Sequence, residues 1–67
     1  MMFKVNDRVR WNSPKRMFWG RVVSINDREY GGNYPIRVSF SFHKDVCFTA
    51  EGKQYEDHEP NLSKINF

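Results

Sequence analysis

Between Tyr34 and Phe42 the chain alternates without interruption. Tyr34, Ile36, Val38, Phe40 and Phe42 fall on one side of an extended backbone, and Arg37, Ser39 and Ser41 on the other. A period of two over nine residues predicts a half-buried β-strand. Its apolar residues are of the types that suit a pleated surface. Pro35 donates no hydrogen bond to a ladder, which places the first part at an edge or at the strand start. The same period recurs in shorter runs. Val9 and Trp11 alternate with Arg8 and Arg10, and a longer extended run covers residues 18–25. Gly20 in that run predicts a bulge or a close backbone approach. A bulge would let Val22 and Ile25, three apart, both face a core. Phe18 and Trp19 are consecutive, so one of them points away from the core.

Turn chemistry separates these runs. Asn6-Asp7, Asn12-Ser13-Pro14 and the polar stretch from Asn26 to Asn33, with Gly31-Gly32, read as turns or loops. His43-Lys44-Asp45 is expected to form the next turn. Val46 to Ala50 follows as a short strand with Val46, Phe48 and Ala50 on one side. Glu51-Gly52 turns again, Lys53 to Tyr55 is briefly extended, and Leu62 to Phe67 reads as a last strand. No segment sustains a helical period, although a single turn fits near residues 57–61. Five or six short antiparallel strands in 67 residues predict an all-β small barrel, because closure removes the exposed edges of so small a sheet.

Residues 1–67 make one domain. A chain this short buries only about 60% of its unfolded surface, which leaves little protein for a deep catalytic pocket. The reading is therefore non-enzymatic. The single Cys47 excludes an internal disulfide and favours a reducing, cytoplasmic compartment. No run approaches the roughly 20 apolar residues of a membrane span, and the N-terminus lacks the apolar core of a signal peptide.

Charge changes the picture more than composition does. The net charge is +3. Residues 1–21 carry Lys4, Arg8, Arg10, Lys15, Arg16 and Arg21 against Asp7 alone, a local balance of +5. Residues 45–59 carry Asp45, Glu51, Glu56, Asp57 and Glu59 against Lys53, a balance of −4. Either the two stretches attract each other or are plainly solvated, or they present opposite fields to partners.

The order of the fragments Phe3-Lys4-Val5-Asn6-Asp7-Arg8-Val9, Gly20-Arg21-Val22-Val23-Ser24-Ile25, Tyr34-Pro35-Ile36-Arg37-Val38-Ser39-Phe40 and Phe48-Thr49-Ala50-Glu51-Gly52 resembles small SH3-like barrels of the Tudor and KOW type. With Asp57, Pro60 and Leu62 the pattern is similar to small phage and prophage proteins. Asn6 and Glu51 stand where Gly and Asp are usual. Met17-Phe18-Trp19 is bulkier than a typical KOW loop, which weakens any direct transfer of a KOW-type RNA contact. The resemblance implies an SH3-like fold and a binding role rather than a reaction.

The candidate interface is basic and aromatic. Arg8, Arg10, Lys15, Arg16 and Arg21 supply cations for phosphate, and Trp19 a surface on which a base stacks. The competing reading puts the aromatic residues in the core and leaves the arginines as solubilising groups. The expected partner is a nucleic acid, or alternatively a host protein bound by a phage-type interaction module, with the acidic 51–59 stretch as a second contact region. His43, Cys47 and His58 are the only soft metal ligands and lack paired Cys-x-x-Cys spacing, so neither metal nor cofactor is implied. His43 beside Cys47 is the one pair that a nucleophilic mechanism would use.

Overall fold

The computed structural model describes residues 3–55 and 61–65. Five strands, β1 (Arg8–Asn12), β2 (Met17–Ser24), β3 (Ile36–Phe40), β4 (His43–Phe48) and β5 (Leu62–Lys64), form one antiparallel sheet in the order β4-β3-β2-β1-β5. The protein is all-β, with no helix among the described residues. Residues 56–60, which hold most of the expected single turn near 57–61 and the second half of the acidic 51–59 stretch, with Asp57, His58 and Pro60, lie outside the described residues. The end strands β4 and β5 share no ladder. The turn after β4 nevertheless reaches the start of β5, because the Gly52 carbonyl accepts from the Asn61 and Leu62 N–H groups at 3.2 and 3.3 Å. Gly52 takes a φ of 90°, and a Cβ there would lie 3.0 Å from the Leu62 carbonyl oxygen. Only glycine suits that position.

Alternation delivers the core. Val9 and Trp11 of β1, Phe18 and Val22 of β2, Ile36, Val38 and Phe40 of β3, Val46 and Phe48 of β4 and Leu62 of β5 are buried together with Phe3. Trp11 is the hub. Its ring lies 5.3 Å from Phe40, 5.6 Å from Phe18, 5.6 Å from Phe48 and 5.2 Å from His43. Such ring pairs add about 0.5–1.5 kcal/mol each beyond area burial.

Gly20 is a close approach and not the bulge. A Cβ on it would fall 2.4 Å from the Ser39 carbonyl oxygen and 2.6 Å from Phe40 Cδ1. The extra residue is Val23, since Val22 pairs with Val38 and Ser24 with Arg37. The consequence matches expectation: Val22 is buried, and Ile25 packs against the core.

Four expectations for residues 34–50 need correction. The strand is shorter than 34–42, because Ser41-Phe42 forms the turn into β4. Phe42 is therefore not in the core; it is 93% exposed and has a φ of 65°. His43-Lys44-Asp45 is not a turn but the start of β4, and Ala50 is exposed in the following turn. A second bulge explains the phase. Phe40 pairs with His43 and Val38 with Val46, so two residues of β4, Lys44 and Asp45, oppose Ser39 alone. The extra residue turns His43 to the side of Val46 and Phe48.

Candidate nucleic-acid interface

The outer face of the sheet is the site that β1 and β2 build. In their register Arg8 lies opposite Arg21, and Arg10 opposite Trp19. Directly opposite residues have Cβ atoms about 5 Å apart on one face. Phe18 goes inward, so Trp19 goes outward and remains 51% exposed. Ser39 continues the row beyond Arg21, and Ser63 flanks Arg10 from β5. The Ser41 N–H donates to the Trp19 carbonyl at 3.1 Å, which ties the β3–β4 turn to this face. A shallow depression of about 400 Å³ runs along it beside Arg8, Trp19, Arg21 and Ile65. Among the described residues no carboxylate lies within 4 Å of the Arg10 or Arg21 guanidinium.

Lys15 and Arg16 stand apart from this group. They occupy the β1–β2 turn, which closes on itself: the Ser13 N–H and hydroxyl both donate to the Arg16 carbonyl, at 3.0 and 2.6 Å, and the Arg16 N–H returns to Ser13 Oγ at 3.1 Å. Arg16 then lies over the Phe18 ring, 4.9 Å from its centroid, on the core side of the sheet. Both cations border a groove of about 470 Å³ between this turn, the β4 edge, Tyr30 and Tyr55. Of the six residues expected at the interface, four share the outer face and two border the groove.

A charge cluster escaped the sequence reading. Arg37 projects from the face of β3 opposite Ile36 and Val38 and meets the β2–β3 loop, where Asp27 accepts from its Nε at 2.6 Å and from its Nη2 at 3.3 Å, and Glu29 accepts from Nη2 as well. The Arg37 guanidinium, followed by the Glu29 N–H, holds the Asp27 carboxyl below the ordinary carboxylate value. The two carboxylates raise the Arg37 pKa in turn, Asp27 more than Glu29. Cys47 pairs with Arg37 across the ladder and is buried beneath this loop, and burial pushes its thiol up. Donor atoms of Asp27, Glu29 and Cys47 lie within 4.8 Å of one another. Arg37 already supplies the positive charge there, so a metal ion would have to displace it. The only signal in the sequence was a pair of loop acids facing an outward arginine on the next strand.

Cys47 and His43 lie on opposite faces of β4. The imidazole packs against Trp11 and Phe18, with Nδ1 donating to the Lys44 carbonyl at 2.8 Å, while the thiol neighbours Asp27. At the start of β1, Asp7 accepts from the Lys4 N–H at 2.8 Å and pairs with Lys64 at 3.3 Å. The Lys4 bond, then the Lys64 hydrogen bond and charge, lowers its pKa.

Comparison with known proteins matches no family model, no curated protein and no solved structure. No helix among the described residues is long and apolar enough to cross a membrane.

Proposed function

We propose that this small SH3-like domain is a non-enzymatic module that binds single-stranded nucleic acid, with little sequence preference, on the outer face of β1 and β2. One observation carries the reading: a half-exposed Trp19 set among Arg8, Arg10 and Arg21 on one face. Arginines neutralise phosphates, and an exposed indole offers a ring to any base. The unpaired Cys47 agrees with the cytoplasm as its location. The test is fluorescence anisotropy with a labelled mixed-sequence oligonucleotide. Loss of a stacked base costs about 1–3 kcal/mol, so Trp19→Ala should weaken binding by roughly 5-fold to 150-fold. Equal affinity of Trp19→Ala and the parent protein would refute it.

A second reading rests on Phe42. An aromatic side chain that is almost wholly exposed, on a residue at φ 65°, keeps both an apolar and a conformational cost. A phage-type protein-interaction module that anchors on a host protein would use such a residue. Binding of that kind persists at high salt and is lost in Phe42→Ala, whereas the outer-face mode responds in the opposite way to both.

A further inference from the structure

The groove beside the β4 edge has the size of a small-ligand site, since such sites span about 300–1,000 Å³ and this one measures about 470 Å³. Its walls are aromatic. Trp11 and Phe18 are buried along it, and the Tyr30 and Tyr55 rings stack on each other at 5.8 Å between centroids while staying 45% and 56% exposed. Half-wet flat rings of this kind suit a flat ligand. Among the described residues the charged side chains along it are Lys15, Arg16 and Lys44 against Asp45, and none of these cations makes an ion pair there.

That charge selects the occupant. A methylated ammonium or a basic peptide would meet Lys15, Arg16 and Lys44, which outnumber Asp45 among the described residues of the rim. A wholly apolar ligand would strip water from three unmatched cations. A flat ring joined to an anion satisfies both features. We infer that the groove binds a nucleoside monophosphate, free or at the terminus of a strand, with its base against Tyr30 and Tyr55 and its phosphate held by Lys15, Arg16 and Lys44. This site shares no residue with Arg8, Arg10, Trp19 and Arg21 and does not depend on the function proposed for them.

The experiment uses the full chain carrying Trp19→Phe, in which Trp11 is the remaining tryptophan. Adenosine monophosphate, adenosine, inorganic phosphate and a short oligonucleotide with and without a 5′-phosphate are titrated in turn. Trp11 fluorescence and the amide shifts of Arg16, His43 and Lys44 are the readouts. Saturable shifts with the monophosphate, at least about tenfold tighter than with adenosine or phosphate alone, support the site. Shifts confined to the 5′-phosphorylated oligonucleotide assign it to a strand end. Arg16→Glu with Lys44→Glu should weaken monophosphate binding about tenfold or more, and two separate surface reversals that keep the parent circular dichroism spectrum guard against misfolding. Arg10→Glu with Arg21→Glu should leave monophosphate binding intact even where it abolishes oligonucleotide binding to the outer face, so failure of one site is distinguishable from failure of the other. Equal affinity for phosphate alone or for adenosine alone, or no saturable shift with either nucleotide form, would overturn the inference.

Discussion

Salt dependence measures how many cations share the proposed strand-binding face. The register collects three arginines around Trp19, namely Arg8, Arg10 and Arg21. Single-stranded binding loses about 0.7 unit of log affinity per log unit of salt for each phosphate neutralised, so three contacts give a slope near −2. Between about 50 and 200 mM salt the affinity should then fall roughly 20-fold. Lys15 and Arg16 sit across the sheet, beside the Phe18 ring and the groove. If they joined the same strand, five contacts would give a slope near −3.5 and a fall of more than about 100-fold over the same range. Anisotropy titrations at four or more salt concentrations separate these cases. Arg21→Ala should reduce the slope by about 0.7, whereas Lys15→Ala should leave it unchanged. A slope near zero would refute phosphate binding by this face. A slope near −3.5 would refute the division of the cations between two faces.

Gly20→Ala places a Cβ within 2.6 Å of both Phe40 Cδ1 and the Ser39 carbonyl, and an overpacking cost of about 3 kcal/mol should lower Tm by more than roughly 10 °C in a thermal melt; a change within about 3 °C would show that the strands part without cost. Phe42→Gly relieves a left-handed residue that buries almost nothing, and a gain of up to about 1 kcal/mol in urea unfolding is expected, after the extra entropy glycine brings to the unfolded chain. Asp7 and Asp27 both have carboxyls held below the ordinary value. A depressed folded pKa contributes stability that is present above the unfolded value and is lost as pH falls through the folded one, so the urea midpoint should decline on acidification below about pH 4, and less steeply in Asp7→Asn with Asp27→Asn. Cys47 is buried with its thiol pKa raised, so a thiol reagent should label it slowly in buffer and rapidly in denaturing urea; equal rates would place the thiol at the surface.

The strands were legible because their apolar residues alternate, and the same period placed Arg8 and Arg10 on one outward face of β1. The errors fall where the backbone departs from a regular ladder. Phe42 continues the period of Ile36, Val38 and Phe40, yet the chain turns at Ser41-Phe42. That turn contains neither Gly nor Asn, the residues that ordinarily announce a positive φ. His43 was misplaced for a related reason. Lys44-Asp45 carries the polarity of a turn but is the doubled side of a bulge, and polarity alone does not distinguish the two. Asn6, by contrast, adopts φ 76° with the residue type that tolerates it.

The same limit governs the candidate site. Charge counting grouped Lys15 and Arg16 with Arg8, Arg10 and Arg21 because they are close in sequence, whereas a tight turn between antiparallel strands is where neighbours in sequence change face. The bond from Arg16 N–H to Ser13 Oγ and the stacking of Arg16 on Phe18 make that change here. The +5 stretch thereby divides between two surfaces with different aromatic company: one flat, with an indole beside three arginines, and one concave, where Lys15 and Arg16 are joined by Lys44 of β4 opposite the tyrosines. A flat surface of this kind suits an extended chain of phosphates and bases, and the concave one a single nucleotide. Arg37 shows the third fate of a cation in this sheet. Asp27 and Glu29 saturate it over the buried Cys47, so it adds to the formal net charge of +3 without adding to either surface. Reversing Arg37 should therefore cost stability through two carboxylates left without their partner, while leaving the salt slope of strand binding where the three outer arginines set it.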